Sequence, residues 1–305
     1  MRSILLNLIR KSEVRFRNYF KVSNLDLNRL YSRLKIAYLA IPQHNPAIMN
    51  KLRFQIIILV LFFYSGVTIV SAQQKLPRFH VIALYENGGH HIQYSNVARP
   101  WLDKLAVDSN FTIDYIQNTN LIDSAFLSKY QLFIQLDYAP YAWKEKAVKA
   151  FQDYIEKGRG GWIGFHHASL LGEFDGYPMW NWFSEFMGGI RWKNYIATFA
   201  RAKVNVEDAH HPIMKGVPPS FMVEKEEWYT YDKSPRPNVH VIASVDESSY
   251  TPNSDIKMGD HPVIWSNPKV KARNVYIFMG HSPILFNSDA YQTIFRNAIF
   301  WAAGK

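Results

Sequence analysis

Imidazole is the side chain best suited to moving protons near neutral pH and to binding metal ions, and this chain of 305 residues carries 11 histidines. Their placement says more than their number. His90 and His91 follow the apolar run 79–85 across Glu86-Asn87-Gly88-Gly89, His166 and His167 close the run Gly161–Phe165, and His281 follows the run 275–279. A short apolar run that ends in a turn reads as a buried strand, and open α/β sheets bind ligands at the carboxyl ends of their strands. Three strand ends that carry imidazole are therefore expected to converge on one edge of a sheet. A single histidine is more often a hydrogen-bonded structural residue, but three placed alike point to a site.

Gly164-Phe165-His166-His167-Ala168 has the outline of a nucleophile elbow with imidazole at its tip instead of Ser or Cys. The chain has no cysteine, which removes disulfides, thiolate metal sites and a cysteine nucleophile together. Ser169, three residues beyond His166, is poorly placed as a nucleophile, so acyl transfer through a covalent intermediate is not expected. Neither a Gly-rich phosphate loop followed by Lys-Ser/Thr nor His-Glu-x-x-His occurs. Glu226-Glu227-Trp228-Tyr229 is the second candidate, a carboxylate beside aromatic rings, which suits a general base or a sugar-binding group; the bland alternative is a solvated charge pair. His210-His211-Pro212 and His261-Pro262 read as loop anchors, because proline holds the preceding residue extended, and Arg273 reads as structural.

The elements that must position these residues alternate. Strands are predicted at 79–85, 111–116, 130–136 and Gly161–Phe165, with helices over 95–106, 123–127 and 143–156, the last stopped by Gly158. An aromatic-rich helix over 178–186 follows, then strands at 197–206, 239–245, 263–265 and 275–279 and a closing amphipathic helix over 290–302. This βα alternation argues for an α/β fold with a mainly parallel central sheet. No repeat or low-complexity linker interrupts residues 73–305, which read as one domain with a loop-rich excursion over 195–262.

The net charge of +10 misleads unless its distribution is read. Residues 1–53 hold 11 basic and 2 acidic side chains, leaving 24 basic and 23 acidic of the chain's 35 and 25 for the remainder. The globular part is nearly neutral and gives no reason to expect a nucleic-acid partner. Residues 49–72 have the design of a secretory signal peptide, with Lys51 and Arg53 before an uncharged run and small residues before a cut after Ala72. The protein is thus expected to be secreted or periplasmic; the alternative is a membrane anchor formed by 54–72, the only segment expected to touch a membrane. Residues 1–48 read as an over-extended start upstream of Met49, or else as a basic tail.

Ordered motifs along the chain resemble the ThuA-like (trehalose utilisation) family of the class I glutamine amidotransferase-like superfamily. They are Gly88-Gly89-His90-His91, Gly160-Gly161-Trp162-Ile163-Gly164-Phe165-His166, Trp180-Asn181-Trp182-Phe183 through Gly188-Gly189, and His211-Pro212-Ile213 with Gly216. Glu226-Glu227-Trp228-Tyr229, His261-Pro262-Val263-Ile264-Trp265 and Arg273-Asn274-Val275-Tyr276 through Gly280-His281 complete the set. The resemblance implies a flavodoxin-like three-layer sandwich, with His166 where an amidotransferase has its cysteine, and a role in sugar catabolism. The matched polar positions are His91, His166, Glu227 and His281, with Tyr229 alongside. Two positions depart from the family pattern: Glu226 stands where Asp is usual, and Ala272 where Gly is expected before Arg273.

The expected function is a sugar-processing hydrolase, lyase or isomerase acting on glycosides or keto-sugars, with His166, Glu227, His91 and His281 as the catalytic set. A keto group acidifies the neighbouring C–H, so a histidine and a carboxylate suffice as acid and base. Trp180, Trp182, Trp228 and Tyr229 are expected to hold the sugar ring, with His90 and His167 as further contacts. A divalent metal such as zinc is the cofactor to look for, on some of His91, His166, Glu227 and His281. The alternative is a carbohydrate-binding or scaffold protein that keeps the cleft without turnover; a glutamine amidotransferase is excluded by the absent cysteine.

Overall fold

The structure is a computed structural model that describes residues 76–304. The segment 49–72 that reads as a signal peptide, the cut expected after Ala72 and the stretch 1–48 lie outside the described residues. Five parallel strands form one half of a nine-stranded sheet: β1 (His80–Tyr85), β2 (Thr112–Ile116), β3 (Leu132–Leu136), β4 (Gly161–Phe165) and β11 (Asn274–Ile277), in the order β2-β1-β3-β4-β11. β3, β4 and β11 are buried along their whole length, as parallel strands covered on both faces must be.

The two faces are covered by helices on opposite sides. α1 (Ile92–Ser109) and α5 (Asp289–Ala302) bring Tyr94 and Phe295 against Phe165 of β4. On the other face, α3 (Glu145–Glu156) sets Phe151 against Phe133 of β3, and α4 (Asn181–Phe186) sets Phe183 and Phe186 against Trp162 of β4. Trp162 and Phe165, three apart on a period-2 strand, point to opposite faces as this requires. Local chemistry sets the boundaries. Asp123 caps the short α2 (Ser124–Leu127) by accepting from the Phe126 amide at 2.8 Å, and Ser288 caps α5. Gly158, at φ +64, ends α3 where the sequence places a stop. The result is the three-layer, flavodoxin-like α/β architecture.

The segment 195–262 is not the loop-rich excursion expected from sequence. It supplies β6 (Ala200–Val206), β7 (Ser220–Glu226) and β9 (His240–Thr251), which with β10 (Pro262–Ser266) extend the sheet antiparallel in the order β11-β10-β9-β6-β7. β6 has one face in the core and one toward water, so Arg201, Lys203 and Asn205 alternate with the buried Ala200, Ala202 and Val204. β7 was disguised by its consecutive charged residues Glu224-Lys225-Glu226. A separate two-stranded ribbon pairs β5 (Trp192–Tyr195) with β8 (Tyr229–Tyr231). Among the described residues no helix is long and apolar enough to cross a membrane.

Candidate active site

Because β1, β3, β4 and β11 run parallel, their carboxyl ends open on one edge of the sheet and deliver Glu86 to His91, Asp137, His166 with His167, and Gly280 with His281 to the same place. The chain leaving β7 adds Glu226 and Glu227. Trp228 anchors that segment by stacking on Phe278 with centroids 5.3 Å apart and donating its indole N–H to the Ala200 carbonyl.

His166 sits at φ +33, a left-handed conformation that a side chain other than glycine rarely adopts. Its carbonyl is held there by two hydroxyl donors, Ser169 Oγ and Tyr276 Oη, each at 2.9 Å, and Tyr231 Oη donates to Ser169 Oγ at 2.8 Å. Ser169 is thus a clamp on the turn, in keeping with its poor placement as a nucleophile. Gly280 lets the neighbouring strand end approach: a β-carbon there would meet Asp137 Oδ1 at 2.7 Å and His166 Cβ at 3.0 Å.

Four side chains converge. One potential ligand atom from each of His91, His166, Glu227 and His281 lies within 4.8 Å of the others. His166 Nε2 stands 3.3 Å from His281 Nδ1 and 3.5 Å from Glu227 Oε2, and His281 Nδ1 is 3.4 Å from that same oxygen. The two buried imidazoles each have an acidic side chain behind them, hydrogen-bonded to the ring only at His91. His91 Nδ1 donates to Glu86 Oε2 at 2.9 Å, leaving its buried Nε2 without a partner, and Glu226 Oε1 lies 3.8 Å from His166 Nδ1. Glu226 is itself fixed by the amides of Glu227, Gly280 and His281. Imidazole lone pairs that face one another beside a carboxylate repel unless a proton or cation lies between them, and histidine ligands usually carry a carboxylate on the other ring nitrogen. The donor set fits a divalent ion such as zinc. Glu86, His91 and His167 form an adjoining group of the same kind.

The electrostatics follow from burial and from these contacts. Burial pushes His91 down to about 4 against the pull of Glu86, and drives His166 well below the ordinary histidine value. Both rings are therefore neutral and able to ligate at neutral pH. For Glu227, burial favours the protonated form, but the hydrogen bonds of His166 and His281 outweigh it and hold the carboxyl far below its ordinary value. Glu86 behaves likewise: burial is outweighed by hydrogen bonds to His167 and His91, which hold it at about 2. Burial raises Glu226 to about 8 in spite of its three amide donors. Asp137 is fully buried at φ +49 with neither carboxylate oxygen partnered, and burial followed by the charges of Glu226 and Glu86 raises it well above its ordinary value.

The structure thus brings His91, His166, Glu227 and His281 together, with His167 at the flank, its ring 3.9 Å from that of His91, and Tyr229 4.3 Å from the His166 ring. His90 is exposed beside the buried His91. The tryptophans expected to hold a sugar are a correction. Trp228 is wholly buried in the core, and Trp182 donates to Glu156 at the end of α3, which lies at the opposite edge of the sheet because α3 runs antiparallel to the strands it joins. Trp180 packs beside Trp182 and against Trp143. An aromatic-rich helix here is a core element. Sequence reasoning missed Glu86 and Asp137 and passed over Glu226 in favour of its neighbour. Glu86 had a legible signal, an acid opening a loop that ends in two histidines; Asp137 had only its place at a strand end.

The family model described as ThuA, trehalose utilisation, matches residues 80–302, and the chain belongs to that family. A ThuA-like protein of Bacteroides uniformis is 29% identical with a TM-score of 0.67, covering 75% of this chain and 92% of that one. A ThuA-like protein of Parabacteroides merdae shares the fold at 19% identity and a TM-score of 0.57, covering 75% and 91%. No curated protein matches the chain. Family membership ties the protein to a sugar-related role.

Proposed function

We propose that this member of the ThuA family is a sugar-processing enzyme that acts on glycosides or keto-sugars at a divalent-metal centre, with His91, His166 and His281 as ligands and Glu227 as the proton acceptor. The observation that carries this reading is the convergence of two buried imidazoles, one of them held by a carboxylate, on a third histidine and an ionised carboxylate. Three imidazoles with an open position are the ligand arrangement of catalytic rather than structural zinc. When bound, the ion supplies polarisation of a sugar carbonyl or hydroxyl.

The remaining chemistry belongs to the side chains. Glu227 is 16% exposed, so it can meet a substrate, and its low proton affinity keeps it ionised across the neutral range. On a keto-sugar it takes the proton from the carbon beside the carbonyl. The electron pair of that C–H bond moves into the carbonyl to give an enolate. Either the enolate collapses and expels the β-oxygen substituent, which takes the proton from Glu227 and leaves as an alcohol, or Glu227 returns the proton to the former carbonyl carbon while the proton of the α-hydroxyl passes to the carbonyl oxygen. Elimination and isomerisation share this first step. The segment 49–72 supports a place of work outside the cytoplasm, and a mature amino terminus at Gln73 is the expected result of sequencing the native protein.

The test is incubation of the protein with glycosides and 3-keto-glycosides, with and without chelator, followed by product analysis. Turnover that falls with chelator, returns with zinc, and drops by at least roughly 100-fold in His166→Ala supports the reading. Unchanged turnover in His166→Ala overturns it.

A further inference from the structure

A strip of aromatic rings leads from the histidine cluster to solvent. Tyr229, 3% exposed, lies against His166; Trp192 and Tyr195 stand 6.2 and 6.5 Å from Tyr229 between ring centres, and Phe174 stands 5.9 Å from Trp192. Tyr141 continues the strip, 5.5 Å from Phe174 and 6.3 Å from Tyr177. Exposure rises outward, to 38% at Tyr195 and 48% at Tyr177. Tyr141, Phe174, Tyr177 and Tyr195 belong neither to the hydrophobic core nor to the partly buried residues packed on it. Core stability does not account for them.

Their presentation is rigid. Phe174 and Tyr177 exchange backbone hydrogen bonds across Asp175-Gly176, whose φ values of +54 and +79 make the tight two-residue turn that closes a hairpin. Trp192 and Tyr195 are pinned in β5 by the ribbon with β8, the strand that also carries Tyr229. The strip contains no aliphatic side chain, and the residues interleaved with it, Asp175, Lys193 and Asn194, are exposed and polar. Rings without aliphatic neighbours, bordered by hydrogen-bonding groups, match a ligand with apolar C–H faces and a polar rim. Sugar rings have that anatomy, with C–H faces that lie on aromatic rings and a hydroxyl rim that meets polar neighbours.

We propose that this strip is an extended subsite for the outer rings of an oligosaccharide whose terminal ring is seated at the histidine cluster. The inference rests on the sugar-processing reading of that cluster and adds the residues that select ligand length: Tyr195 for the ring next to the cluster, and Phe174 with Tyr177 for the ring beyond. The test is calorimetric titration of the full chain with glucose and with its α- and β-linked di- and trisaccharides, on wild type and on Tyr195→Ala and Tyr177→Ala. Zinc stoichiometry and melting temperature serve as controls for folding. Expected are affinities that rise by up to about tenfold per added ring in one linkage series, with the trisaccharide gain lost in Tyr177→Ala and the gain from both added rings lost in Tyr195→Ala. Equal affinity for one, two and three rings overturns the subsite while leaving the sugar-processing reading standing. No binding of any sugar by zinc-loaded wild type overturns both.

Discussion

Two buried histidines in this protein are held in the same way and surrounded differently. His91 Nδ1 contacts Glu86 Oε2 at 2.9 Å, and His261 Nδ1 contacts Glu247 Oε1 at 2.9 Å; in both rings the buried Nε2 is left without a partner. Glu247 also accepts the Met258 and Gly259 amides, and the His261 ring neighbours Trp228 and Phe278, so this pair pins a loop to β9 inside an apolar wall. The His91 ring instead neighbours those of His166 and His281, with Glu227 completing the group. A carboxylate behind an imidazole is thus a general way to bury the ring. Convergence of further ligand atoms, which the parallel strand ends provide, is what makes it a candidate for chemistry.

The two carboxylate–histidine pairs differ most in zinc binding. His91→Ala and His166→Ala are expected to weaken zinc affinity by more than about 100-fold, while His261→Ala leaves it unchanged, as read by competition titration against a chromogenic chelator. Equal losses in all three would erase the distinction. The next effect is smaller and isolates the carboxylates. Glu86→Gln keeps shape but removes the charge behind a ligand, and is expected to cost roughly 10–100-fold in zinc affinity, whereas Glu247→Gln costs none.

The same contrast explains what could be read from the sequence. The strand ends with His91, His166 and His281 were legible because fully buried parallel strands are continuous apolar runs, and the imidazoles stand just past them. Glu227 was legible through its aromatic neighbours, although Trp228 serves the core: it is wholly buried and stacks on Phe278. The aromatic residues that do line the way out, Tyr141, Phe174, Tyr177, Trp192 and Tyr195, lie on turns and a two-stranded ribbon without a hydrophobic period, so only tertiary structure gathers them. Asp137 and Glu226 share that difficulty, since nothing local distinguishes a buried carboxylate from a solvated one.

Stability gives the converse of the zinc experiment. Removing the carboxylate of the loop clamp in Glu247→Ala leaves His261 and two amides without their acceptor, and is expected to lower stability by roughly 1–3 kcal/mol in urea unfolding with zinc stoichiometry intact. A result in which that variant loses zinc but not stability would reverse the roles assigned to the two pairs.

The smallest effect concerns a third partly buried imidazole, which has no carboxylate held directly against its ring. His211 lies edge-on to Trp301, 4.7 Å between ring centres, and its Nδ1 accepts the Ile213 amide at 3.4 Å. Burial lowers it to about 4 from the ordinary 6.5, with Asp208 pulling the other way and His240 adding to the lowering. Between those values the unfolded chain binds the proton and the folded one does not, so stability falls as pH drops from about 6.5 toward about 4 and is unaffected by His211 above that window. His211→Gln retains an acceptor for the Ile213 amide without a titrating group, and its urea midpoint should fall less steeply than that of wild type over the same range. Parallel slopes for the two proteins would mean that His211 protonates as readily in the fold as outside it, and that a carboxylate partner is not what separates the other two histidines from it.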